Sequence, residues 1–202
     1  MASHSSFPEW GASLHSGKIN GITMRWADTA HTKEEAARPV VLMMHGWPES
    51  WWSYRHQLKA VHEAGFRGIA PDMRGYGGTD APSCTTHYTA YVLAADMLAL
   101  MSHLGRSKVC LVGHDHGANT GWHLAQLYPE SFVCYCALSV PCQIMDRSGD
   151  REAPLTMLRG VFGDETKPDT QPKFFYQLHH CLPQAADDYG QDTRGCLMVL
   201  CE

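Results

Sequence analysis

Apolar positions along this chain follow two rhythms. The first is the short unbroken run. Val40-Val41-Leu42-Met43-Met44 shows no polar alternation, and Val109 to Val112, Phe66 to Ala70 and Phe132 to Val140 read in the same way. Such runs suit strands covered on both faces, as in a parallel sheet. The second rhythm is helical. Trp51, Tyr54, Leu58 and Val61 recur three or four residues apart, and so do Val92, Ala95, Leu98, Met101 and Leu104. Each stripe predicts a helix with one buried face, the second opening at Tyr91 or Val92, stopped at Gly65 and at Gly105. Ser50 is placed to cap the first of them. A third helix follows the Val109 strand. Its Trp122, Ala125 and Tyr128 share a face, and Pro129 ends it.

Upstream, Ser13 to Ala27 divides at Asn20-Gly21, a turn pair that predicts a hairpin. Residues 1 to 12 read as a loose leader, and Thr29 to Pro39 as an exposed connection. Alternating strands and helices predict an α/β fold, a mostly parallel sheet with helices on both faces. After Pro141 the pattern changes. Gln143 to Pro172 mixes charge, Gly and Pro, and Lys173 to Leu182 and Asp187 to Leu200 read as helices with no strand between them. Two regions follow, 13–142 and 143–202.

Composition narrows the partners. The chain has 202 residues, 44% hydrophobic and 18% charged, with a formal net charge of -5. That balance argues against nucleic acid and against an anionic membrane surface. No apolar run approaches 18 residues and no signal-peptide pattern opens the chain, so a cytoplasmic protein with no membrane contact is expected. Three of the eight cysteines, Cys110, Cys134 and Cys136, fall in apolar runs and read as small buried hydrophobes. A reducing compartment is the matching expectation.

The candidate chemistry lies in Val109 to Ala118, V-C-L-V-G-H-D-H-G-A. An apolar strand meets G-x-D-x-G, and a helix follows. Gly113 and Gly117 leave room for a sharp turn that lifts the Asp115 carboxylate into the open. A carboxylate there can attack a saturated carbon and become an ester. In isolation the same Asp would read as a helix cap. The pair His114 and His116 invites a metal reading, but alternating residues at a sharp turn diverge and no partner has suitable spacing. No metal and no cofactor is implied.

Three motifs in order, H-G-W-P-E-S-W from His45, P-D-M-R-G-Y-G-G-T-D-A-P from Pro71 and G-H-D-H-G-A from Gly113, resemble the epoxide hydrolases of the α/β-hydrolase fold. The resemblance runs from about Lys18 to the last residue. It implies an α/β-hydrolase sheet with a helical lid, entered here at Gln143. It makes Asp115 the nucleophile, and it makes the backbone N–H groups of Trp47 and His116 the oxyanion hole for ester hydrolysis. The segment F-F-Y-Q-L-H-H-C-L-P resembles a lid stretch that carries a catalytic tyrosine, which assigns that role to Tyr176. His45, Gly46 and Pro48 are expected at the substrate pocket, Trp51 either lines it or simply packs, and His116 occupies a pocket position where many relatives carry an aromatic residue. The implied substrate is a small hydrophobic epoxide.

The chain also departs from the family pattern. The histidine base and the acid that orients it follow the lid in the family, as do the last two strands, and none is found before Glu202. The expectation is an incomplete enzyme with a partial lid. Phe132 to Val140 would then be an edge strand open to self-association. Haloalkane dehalogenases share the Asp nucleophile and stand as the alternative enzyme reading. A non-catalytic binding fragment is the alternative of another class.

Overall fold

The hairpin predicted around Asn20-Gly21 forms from β2, Ala12–Ile19, and β3, Ile22–Asp28. Asn20 and Gly21 both have positive φ, 46° and 82°, the backbone a two-residue hairpin turn requires. The structure, a computed structural model, describes residues 6–142. Tyr176, the lid and the whole region 143–202 lie outside the described residues.

Four parallel strands carry the centre: β4, Val40–Met44; β5, Arg67–Pro71; β6, Val109–His114; and β7, Phe132–Leu138. With a short β1, Ser6–Phe7, they make one seven-stranded sheet in the order β1-β2-β3-β5-β4-β6-β7. β4 pairs in parallel with both β5 and β6, and β6 with β7, while β3 meets β5 antiparallel. The sheet is thus mostly parallel at its centre, with antiparallel strands on one flank.

Alternation along β4 sorts the core into two layers. Val40, Leu42 and Met44 pack with Ile69, Leu111 and Met24 beneath α3, Ala90–His103, and α4, His116–Leu127, which contribute Met97, Leu100 and Leu124. Val41 and Met43 face the other way, toward Trp51, Tyr54 and Leu58. Leu58 belongs to α2, Arg55–Glu63, which follows a 3-10 turn, Trp51–Tyr54, capped by the Ser50 hydroxyl. Both faces of β4 are therefore dry, which is why its sequence shows no alternation of polarity. No helix among the described residues is long and apolar enough to cross a membrane.

Three expectations need correction. The leader is not loose from Ser6 onward: β1 pairs with β2, and the rings of Phe7 and Trp51 stand 5.3 Å apart. Aromatic anchoring outweighs the polar composition of the segment. Within the expected connection Thr29 to Pro39 lies α1, Lys33–Ala37. Thr32 accepts from the Glu35 N–H while Glu35 accepts from the Thr32 N–H, a complete capping box spelled T-K-E-E. Finally, Cys134 and Cys136 are exposed and Cys110 is half-buried. Among the described residues β7 ends the sheet and packs against α4, where Tyr135 rests against Trp122 at 4.8 Å. On this edge strand Val133 stays 70% exposed.

Candidate active site

Two loops meet at the carboxyl ends of β4 and β6, and glycines set how closely. Asp115 follows β6 with φ 50° and ψ -120°, a backbone that L-residues rarely adopt. α4 starts at the next residue, and the Asn119 N–H donates to the Asp115 carbonyl at 3.0 Å. The side chain makes no capping bond to the helix. Its Oδ2 instead accepts the Trp47 N–H at 2.9 Å. The sharp turn depends on missing side chains. A Cβ on Gly113 would stand 2.6 Å from the Gly117 carbonyl oxygen, and one on Gly117 would collide with the Met44 and His45 carbonyls. A Cβ on Gly46 would lie 2.5 Å from the Asp115 Cβ.

The His45–Ser50 loop is folded on itself. Glu49 donates its N–H to the Gly46 carbonyl at 3.0 Å, and its Oε2 accepts the Gly46 N–H at 3.0 Å. The same Oε2 lies 3.2 Å from His114 Nδ1. Glu49 thus ties the Trp47 loop to the residue before Asp115. The Trp47–Pro48 peptide is cis.

His45 is 1% exposed and both ring nitrogens are engaged. Nε2 accepts the Met73 N–H at 2.9 Å, so Nδ1 carries the proton and donates to the Gly46 carbonyl at 2.8 Å. Burial pushes its pKa below the usual histidine value. A ring so engaged braces the loop after β4 against the loop after β5. It has no nitrogen left for a substrate.

Asp72, fully buried in that second loop, accepts from Arg25 Nε at 2.7 Å, from the Trp51 N–H at 2.9 Å and from the Gly78 N–H at 2.9 Å. Arg74 and Asp96 form a second buried pair, joined by two bonds of 2.8 and 2.6 Å, and Asn20 donates to Asp96 at 2.7 Å. Together these groups fix Pro71 to Asp80 beside the Asp115 turn.

A cavity of about 260 Å³ adjoins the site, lined by His45, Gly46, Met73, Arg74, Tyr76, Tyr88, Leu93, His116 and Thr120. The structure therefore places Asp115 and Trp47 in contact, and His45, Gly46 and His116 at the cavity. Two residues expected at the pocket are not part of this lining. Trp51 is 4% exposed and packs in the core with Phe7 and Trp52. Pro48 is exposed and lies outside this cavity's lining. Sequence reasoning assigned no role to Glu49, Asp72 or Tyr76, although all three lie in the motifs it singled out.

Comparisons with known proteins agree with this fold. A family described as alpha/beta hydrolase fold matches residues 39–181. "Epoxide hydrolase 3" of Siraitia grosvenorii is 44% identical over 169 residues, covering 84% of this chain and 48% of that protein. "Epoxide hydrolase A" of Mycobacterium tuberculosis is 34% identical over 168 residues, covering 83% of this chain and 47% of its own length. The crystal structure of an epoxide hydrolase from Vigna radiata superposes with a TM-score of 0.75 at 34% identity, covering 94% of this chain and 56% of that one. The chain spans about half the length of these curated relatives.

Proposed function

The chain belongs to the alpha/beta hydrolase fold family, and from that premise we propose that it carries the nucleophilic half of an epoxide hydrolase site, with Asp115 as the nucleophile. The observation that carries this reading is the way the carboxylate is held. One oxygen, Oδ2, is fixed by the Trp47 N–H at 2.9 Å on a backbone of positive φ. Oδ1 is the oxygen left to attack. Relatives named epoxide hydrolases, at 34 to 44% identity, support the epoxide over the haloalkane.

The step balances simply. Asp115 Oδ1 forms a bond to one ring carbon, the C–O bond of that carbon breaks, and its electron pair goes to the epoxide oxygen. That oxygen takes a proton from a phenol, the part assigned to Tyr176. The product is a hydroxyalkyl ester on Asp115, heavier than the protein by the mass of the epoxide. Oδ2 becomes the ester carbonyl oxygen, already lying against the Trp47 N–H. That donor, with the His116 N–H, stabilises the oxyanion when the ester is hydrolysed.

Incubation with styrene oxide, followed by intact-mass and peptide mass spectrometry, tests the reading. One adduct on the peptide containing Asp115, absent in Asp115→Asn, is expected. Equal labelling of Asp115→Asn would overturn it. A cytoplasmic, thiol-reducing setting and self-association through the β7 edge complete the proposal. Sedimentation of the chain with and without a charge at Val133 checks the second of these.

A further inference from the structure

Two strands of the sheet are out of step by one residue, and the step brings two thiols face to face. β6 and β7 run parallel, with Val109 opposite Phe132. The next residue of β6, Cys110, stands opposite Cys134 and not Val133. β7 therefore spends one extra residue between the two pairs. In an unbroken ladder Cys110 would face Val133, and Cys134 would stand beside Leu111 on the other face of the sheet. Beyond Cys134 the register runs regularly to His114 and Leu138.

Residues directly opposite in paired strands point to the same face. Cys110 packs against the layer that holds Val41 and Met43, and Val41 stands opposite it in β4. Val41, Cys110 and Cys134 thus form one row across three strands. The two thiols of that row share a hydrogen bond. Neighbouring strands lie about 4.7–4.9 Å apart, inside the roughly 4.4–6.8 Å that a disulfide spans between Cα atoms. Cys136, two residues further along, faces Val112 across the ladder instead of a thiol.

We infer that Cys110 and Cys134 are a paired oxidation site, which a hydroperoxide converts to a disulfide across the β6–β7 ladder. With hydrogen peroxide the step needs nothing else. The Cys134 sulfur attacks one peroxide oxygen, the O–O bond breaks, and one water leaves. Cys134 is then a sulfenic acid. The Cys110 sulfur attacks the Cys134 sulfur, the S–O bond breaks, and the departing hydroxyl takes the Cys110 proton as a second water. Two thiols lose two electrons and two protons, and one peroxide becomes two waters.

Their surroundings set the order of the two cysteines. Cys134 is exposed and Cys110 is half-buried. Burial and the hydrogen bond to Cys134 raise the Cys110 thiol above its usual value, so it keeps its proton and serves as the resolving partner. The pair works independently of any chemistry at Asp115, yet it shares a ladder with that turn. The Asp115 N–H donates to the Leu138 carbonyl at 3.3 Å, at the far end of β7. A Cys110–Cys134 bond closes the chain around α4 and ties β7 to the strand that carries Asp115.

The whole chain is reduced, treated with hydrogen peroxide near neutral pH, digested without reductant and mapped by mass spectrometry. A peptide pair joining Cys110 to Cys134 is expected, lighter than its parts by two hydrogens and lost on adding dithiothreitol. Cys110→Ser should abolish the link and strand Cys134 as a sulfenic acid, so that dimedone labels Cys134 several-fold more than in the parent. Cys134→Ala should leave Cys110 a thiol at the same dose of peroxide, and Cys136→Ala should leave the link intact. The oxidised parent should melt several degrees above its reduced form. The pairing is wrong if Cys134 oxidises while Cys110 stays a thiol, or if Cys134 joins Cys136 or a second chain as readily as Cys110. An oxidised form that melts below the reduced one would also overturn it, because the register would then fail to hold the sulfurs within bonding reach.

Discussion

Replacing Gly46 by alanine asks whether the carboxylate depends on the close approach of two loops. The added methyl would stand 2.5 Å from the Asp115 Cβ and 2.7 Å from Oδ2. Carbon atoms in contact settle at about 3.5–4.0 Å, so one loop must move by about 1 Å. Reacting atoms must lie within roughly 3–3.5 Å of each other, and a shift of this size costs about 100-fold in rate. That is about 2.7 kcal/mol of barrier. The same overpacking lowers stability by about 1–3 kcal/mol. The control is Gly65→Ala, at φ 86° with nothing within 4 Å of the added Cβ. Its cost is about 1–2 kcal/mol of backbone strain, far from the site. Both variants should melt lower than the parent, but only Gly46→Ala should slow the appearance of the styrene oxide adduct. Labelling of Gly46→Ala within threefold of the parent would refute the reasoning, as would an equal loss in Gly65→Ala.

Other consequences can be measured directly. Glu49→Ala removes the side-chain acceptor of the buried Gly46 N–H. It should cost about 1–3 kcal/mol in chemical denaturation and slow labelling, with Glu49→Gln closer to the parent. Asp28→Ala breaks the buried pair with Arg67, in which Nε and Nη2 reach the carboxylate at 3.0 and 2.5 Å. A loss of about 3–5 kcal/mol is expected, with labelling by the remaining folded protein unchanged. His45 is neutral in the folded state because burial lowers its pKa, whereas the unfolded chain takes up a proton near pH 6.5. Its contribution is therefore full above about pH 6.5 and is lost as pH falls from there through the folded value. His45→Gln should melt lower at pH 8 and lose less on acidification to pH 5 than the parent; parallel pH profiles would count against this role.

The parts of the fold legible in the sequence were those where one physical demand acts alone. β4 reads as a buried strand because both faces are dry, and the helical stripe through Leu58 reads because α2 has only one covered side. Gly113 and Gly117 were legible because a close backbone approach tolerates no other residue. α1 was missed because its signal is a four-residue capping box and not an apolar stripe. The exposed Cys134 and Cys136 were misplaced for a different reason. An apolar run reports the polarity of a strand, not how many neighbours the sheet gives it, and among the described residues β7 lies at the edge.

The site divides along the same line. Motifs name residue types, so Asp115 and Trp47 could be paired before any geometry was available. Motifs do not say how a polar atom is spent. His45 lines the cavity as expected, but both its ring nitrogens are spent on the fold: Nε2 takes the Met73 N–H and the Nδ1 proton goes to Gly46. Trp51 was read as lining the pocket or simply packing; its ring is core and its N–H is held by Asp72. Both assignments depend on partners 28 and 21 residues away, in a loop whose position only the folded sheet fixes. Once β5 lies beside β4, Asp72 and His45 knit the two loops together, and Glu49 ties the result to His114. The carboxylate at the centre then takes the Trp47 N–H at 2.9 Å. The strained turn at Asp115 is held by a surrounding network that, among the described residues, leaves the carboxylate itself free of side-chain partners, which is why the proposed nucleophile could be named from ten residues and its support could not.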